Sequence, residues 1–124
     1  MRNPKQILIE ILSQFGFVEG VTLCLQGTLN PDEAYPDEFV TFWTDYTDDN
    51  AHFDNSVYSV DWSFSVIYYA NDPARVNTRP FEFMTALREA GFVPQGVGQD
   101  IASDEPTHDG WVVEYIYTQQ LNQF

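Results

Sequence analysis

The run Ser56–Ala70 reads S-V-Y-S-V-D-W-S-F-S-V-I-Y-Y-A and constrains this chain more than any other stretch. Its even positions are Tyr58, Val60, Trp62, Phe64, Val66 and Tyr68; its odd positions are mostly Ser59, Asp61, Ser63 and Ser65. A period of two with one apolar side predicts a β-strand buried on one face and wet on the other. At about 3.3 Å per residue the run is roughly 50 Å long. A domain of this mass is only about 30 Å across. The strand therefore bends sharply, or carries one end beyond its own body, where something else must cover it.

The flanking segments complete the expected fold. Asn3-Pro4 pairs a capping side chain with proline at a first helical position. Ile7, Leu8, Ile11, Leu12 and Phe15 then form one stripe at helical spacing, ended by Gly16. Val21, Leu23 and Leu25 alternate with Thr22 and Cys24 as a short strand, followed by a loop over Gln26–Glu38. Glu38–Thr47 is a second strand, apolar on both sides (Phe39 and Trp43 against Val40 and Phe42), hence covered on both faces or facing a partner. The polar stretch Asp48–Asn55 reads as the turn joining it to Ser56–Ala70 in an antiparallel hairpin. Asn71-Asp72-Pro73 breaks the long strand. A second helix, from about Asn77–Pro80 to Ala90, carries Phe83, Met84 and Leu87 inward and stops at Gly91, with Phe92 placed for a Schellman-type contact. Val93–Ile101 is a strand interrupted by Pro94, Gly96 and Gly98, Ser103–Asp109 an acidic turn, and Gly110–Thr118 the last strand. The order α-β-β-β-α-β-β predicts one α+β domain over residues 1–124. Its sheet is mostly antiparallel, two helices pack on it, and a long hairpin joins the second and third strands.

Composition narrows the function. With 44% hydrophobic and 16% aromatic residues the chain builds a core rather than a disordered tail. Nineteen acids against five bases give a net charge of −14, which argues against a basic nucleic-acid-binding patch. Cys24 is the one cysteine, so no intramolecular disulfide forms, and it reads as a small buried hydrophobe. There is no signal-peptide pattern and no run of eighteen apolar residues, so the expectation is assembly in the cytoplasm with no membrane partner.

No stretch carries a complete catalytic motif. An EF-hand loop starting at Asp48 needs glycine at its sixth position and glutamate at its twelfth, which here hold Phe53 and Ser59. His52 and His108 lie in acidic turns and read as solvated side chains rather than zinc ligands. Cys24 has no evident base, the strand serines do not sit on a nucleophile elbow, and Gly96-Val97-Gly98 lacks the rest of a dinucleotide fingerprint. The expectation is a non-enzyme without metal or cofactor. Aromatic residues outside the core instead suit protein–protein contacts. The candidate assembly interface is therefore Asp45, Tyr46, Asp48 and Tyr58 on the hairpin, with Ser63, Ser65 and Tyr69 on the wetter strand side.

The segment W-S-F-S-V-I-Y-Y-A-N-D-P, the helix P-F-E-F-M-T-A-L-R-E-A-G-F and the stretch Q-D-I-A-S-D-E-P-T-H-D-G-W-V-V-E-Y-I-Y carry a family likeness. Together they resemble the tail terminator, tail-completion and tail-to-head joining proteins of long-tailed bacteriophages. The resemblance implies a subunit of a ring, commonly a hexamer, in the virion at the head-proximal end of the tail. Such a ring stops tube growth, contacts the tail tube protein and the head-completion or connector protein, and passes genomic DNA through its lumen without binding it specifically. An acidic lumen repels the duplex and keeps it from sticking. The competing reading from charge alone is an acidic DNA mimic or host-factor inhibitor.

Overall fold

A computed structural model describes residues 3–18, 22–25, 37–53, 56–101 and 107–120, and only the backbone of residues 24, 25, 46, 48–53, 56–58 and 120. Helix α1 spans Pro4–Ser13 because Asn3 caps it: the Asn3 side chain accepts the Lys5 N–H at 2.8 Å, and Pro4 supplies a preset first turn. Strands β1 (Leu23–Leu25), β2 (Glu38–Phe53) and β3 (Ser56–Ala70) follow. Helix α2 (Pro73–Val76), helix α3 (Arg79–Glu89), β4 (Phe92–Pro94), β5 (Gln99–Ile101) and β6 (Asp109–Gln120) complete the order. One six-stranded sheet runs β1-β2-β3-β6-β4, with β5 also beside β6. Every pairing is antiparallel except β1 with β2. This is the α+β class expected, with the long β2–β3 hairpin at its centre.

Three elements differ from expectation. Asp72 and Pro73, read as a strand break, also start α2, because the Asp72 carboxylate accepts the Ala74 N–H at 3.0 Å. Val93–Ile101 is divided into two three-residue strands, since Gly96 and Gly98 both take positive φ between them. The stretch Asp48–Asn55 is not wholly a turn: β2 continues to Phe53, paired with Ser56. The ladder to β3 overrides the weak strand preference of these polar residues. Register shifts fall within this stretch at Asp49/Ala51 and Ala51/His52, and a further one lies before it at Thr44/Tyr46.

The two faces of the sheet have different roles. Toward the helices lie Val40 and Phe42 of β2, Phe64, Val66 and Tyr68 of β3, and Val113 and Tyr115 of β6. They pack with Leu8, Ile11 and Leu12 of α1 and with Phe83, Met84 and Leu87 of α3. Each fully buried Leu or Phe here contributes about 1.5–3 kcal/mol. Phe92, just past the left-handed Gly91 (φ 102), is fully buried, and its ring packs on Tyr117 of β6 at 4.6 Å.

The opposite face carries Phe39, Thr41 and Trp43 of β2, Ser63, Ser65, Ile67 and Tyr69 of β3, and Val112, Glu114 and Ile116 of β6. The expectation of a wet serine face is corrected: Ser59, Ser63 and Ser65 are each only 4% exposed. They sit on the central strand, with Ser65 flanked by Trp43 and Glu114 and Ser63 by Ile116. A short side chain in the middle of a sheet is shaded by its cross-strand pairs even where no helix covers it. Among the described residues, no helix is long and apolar enough to cross a membrane.

Candidate functional site

The β2 bulge sets the geometry of the hairpin. Thr44 pairs with Phe64 and Tyr46 with Ser63, which leaves Asp45 as the extra residue. A bulge re-aims its side chain. The exposed Asp45 lies over the serines: Ser65 Oγ donates to its two carboxylate oxygens at 2.9 and 2.8 Å, and Ser63 Oγ to one of them at 3.4 Å. Of the predicted interface residues, Asp45, Ser63 and Ser65 are thus brought into one cluster, and the serine hydroxyls are inside it rather than at the surface. Tyr69, half-buried, stacks on Phe39 with ring centroids 5.0 Å apart. Tyr46 and Tyr58 hold strand positions as expected, whereas Asp48, expected in a turn, lies on β2; Tyr46 pairs with Ser63 and Asp48 with Asp61, and the side chains of all three lie outside the described residues. So do the side chains of Cys24, Asp49 and His52, and the loop segment 26–36.

Charge is segregated between the layers. Among the described residues, no strand contains Lys or Arg. The described cations lie on the helices, with Lys5 on α1, Arg75 on α2, and Arg79 and Arg88 on α3. On the face away from the helices, Asp48 stands directly opposite Asp61 in the ladder, and Thr118 Oγ1 donates to Asp61 at 2.6 Å. Glu114 is exposed beside Ser65.

Nothing in the residue pattern points to the polar hub at the other end of β2. Glu38 accepts from Tyr68 Oη at 2.8 Å and from Arg79 Nη2 at 3.2 Å, with Arg75 Nη1 at 3.5 Å. Arg79 also donates to the Phe15 carbonyl at 3.0 Å and lies 5.5–5.9 Å from the Phe15, Phe17 and Phe83 rings, a cation–π arrangement. Burial, then the hydrogen bond to Glu38 and its negative charge, push the Tyr68 hydroxyl far above the usual tyrosine range, with Arg79 opposing. Burial does the same to Tyr115, partly offset by Arg88. These shifts keep both hydroxyls neutral and mark a structural network. His108, expected as a solvated turn residue, is instead buried beside the Phe39 ring at 5.8 Å, with Nδ1 2.9 Å from Thr107 Oγ1.

An open cleft of about 400 Å³ lies where α2 meets β5 and β6, with Asn77, Asp100 and Asp109 among its walls. Both carboxylate residues are exposed there. Among the described residues, no three His, Cys, Asp or Glu side chains gather to hold a metal ion. No protein-family model matches this chain, and no curated protein sequence matches it.

Proposed function

We propose that this protein is a structural subunit of a long-tailed bacteriophage tail. In this reading it forms a ring, hexameric by the resemblance, that ends the tail tube, joins tail to head and lets DNA pass through its lumen. The observation that carries the reading is the reach of the β2–β3 ribbon. Among the residues whose side chains are described, the last core residue on β2 is Phe42 and the first on β3 is Phe64, with Trp62 packed against it, and the ladder continues to Phe53 and Ser56. Among the described residues, the last β3–β6 pair is Ser59–Gln120, while β2 and β3 pair on to Phe53–Ser56. A two-stranded ribbon is marginal by itself and gains stability from a partner. Rings are the closed form of head-to-tail contacts, and a net charge of −14 suits a lumen that must not retain DNA.

The acidic DNA-mimic reading draws on the same charge and on the absence of Lys and Arg from every described strand. The two are separated by electron microscopy of the purified protein, alone and with tail tubes. Rings or capped tubes support the tail reading. Featureless monomers that bind a basic DNA-binding protein in a salt-sensitive manner favour the mimic.

A further inference from the structure

Among the described residues, the large apolar side chains left exposed are Val18, Phe81, Val93 and Val97. Two of these meet a tryptophan. Phe81 of α3 is 42% exposed, and its ring lies 6.1 Å from that of Trp111 near the start of β6. Val97 is 64% exposed, and its carbonyl accepts the Trp111 Nε1–H at 3.0 Å. The indole is also fitted against Gly98, which takes φ 95 and where a Cβ would meet Nε1 at 2.3 Å. Trp111 packs part of its surface against the core and keeps the rest in solvent. Helix, strand and loop thus build an aromatic platform whose ring is already held in place. Such a ring loses little freedom when a partner covers it, and exposed aromatic groups are favoured anchors of protein contacts.

The charge around the platform decides what fits it. Asp100 pairs directly with Trp111 in the ladder, and Asp109 lies two residues before Trp111, so both carboxylates share its face. Both are exposed, as is Glu82 beside Phe81. Arg75 and Arg79, the arginines ahead of Phe81, both bridge to Glu38, and Arg79 also to Glu82. Residues 102–106, between β5 and β6, contain Asp104 and Glu105 and no Lys or Arg. A second copy brings a further net charge of −14 to this acidic rim, and like charge opposes its docking. A guanidinium suits the site on two counts, because it stacks on aromatic faces and forks to carboxylates. We infer that Phe81, Trp111 and Val97 form a docking platform for an arginine-bearing extended segment of a different protein. The arginine stacks on the two rings and directs its charge to Asp100 and Asp109. The inference goes beyond the ring reading and does not rest on it.

The test uses the full chain and a pentapeptide alternating Leu and Arg, titrated while the three indole N–H resonances are followed by NMR. The Trp111 resonance should shift, with those of Trp43 and Trp62 staying in place. Affinity should fall about threefold or more between 50 and 300 mM salt, as screening of exposed charges requires. Phe81→Ser should weaken binding about fivefold or more, and Asp100→Asn about threefold. Val93→Ser, also at an exposed position but on the opposite face of the sheet, should bind as the parent does. The inference is overturned if the peptide leaves Trp111 unshifted or shifts the other indoles equally. It is also overturned if a Leu-Glu peptide binds as well, or if Phe81→Ser and Asp100→Asn bind unchanged. Sedimentation showing a self-associating parent and a monomeric Phe81→Ser variant would make a second copy the occupant and overturn it too. Rings seen by microscopy alongside any of these negative results leave the tail reading standing and remove this one alone.

Discussion

Tyr68 Oη donates a 2.8 Å hydrogen bond to Glu38, which opens β2 and also accepts from Arg79 of α3 at 3.2 Å. One carboxylate thus ties the central strand, its neighbour and the helix layer together. Tyr68 is 1% exposed, so its hydroxyl has little access to water if that acceptor is lost. Glu38→Ala is expected to lower stability by about 2 kcal/mol, the cost of leaving a buried donor unpaired beside a half-buried guanidinium. Tyr68→Phe should cost less, because both the donor and its need are removed. Urea unfolding of the two single variants and the double variant measures the coupling, and additive losses would refute it.

Asp45 has the same role toward the buried serines. Asp45→Ala deprives Ser63 and Ser65 of their acceptor and should cost about 1–3 kcal/mol. Ser65→Ala, which removes the donor itself, should be milder. Equal losses in the two variants would mean that the bulge, not the carboxylate, does the stabilising.

The two buried tyrosines predict an alkaline limit. Each keeps its proton in the folded state at a pH where the unfolded chain ionises near the ordinary value of 10. The unfolded state then binds fewer protons, so stability falls as pH rises above about 10 and is unaffected below it. Each tyrosine contributes a slope of up to about 1.4 kcal/mol per pH unit. Urea midpoints at pH 9, 10 and 11 should decline in the parent and flatten stepwise in Tyr68→Phe and Tyr115→Phe.

Gly98 has φ 95, and a Cβ there would sit 2.3 Å from Trp111 Nε1 and 2.6 Å from the Val112 carbonyl oxygen. The same indole donates to the Val97 carbonyl at 3.0 Å. Gly98→Ala should cost about 3 kcal/mol or more, combining backbone strain with displacement of Trp111. Gly96→Ala, also at positive φ (91) but with nothing within 4 Å, should lose only about 1 kcal/mol. Thermal melts that rank the two variants the other way would contradict the packing.

The proposed role of the ribbon is tested by alanine or charge substitution at Tyr46 and Tyr58. Tail assembly in complementation should fail or drop at least about tenfold if each residue supplies an interface anchor. Circular dichroism should show the fold retained. Wild-type tail yield from both variants would remove the hairpin from the assembly surface.

Local rules settled much of this fold in advance. Asn3-Pro4 and Gly91 act over a few bonds, so the start of α1 and the end of α3 follow from the residues themselves. The period of two in β3 likewise identifies its core face, because Phe64, Val66 and Tyr68 must leave water together. What the chain could not disclose was whatever depends on register between distant segments. Ser63 and Ser65 look wet until Trp43, Glu114 and Ile116 are placed beside them. Glu38 looks like one acid among nineteen until Tyr68 and Arg79 converge on it. Composition and spacing fix which side chains avoid water, whereas the partner of a polar group or a strand edge is chosen by cross-strand alignment, which only the assembled sheet decides.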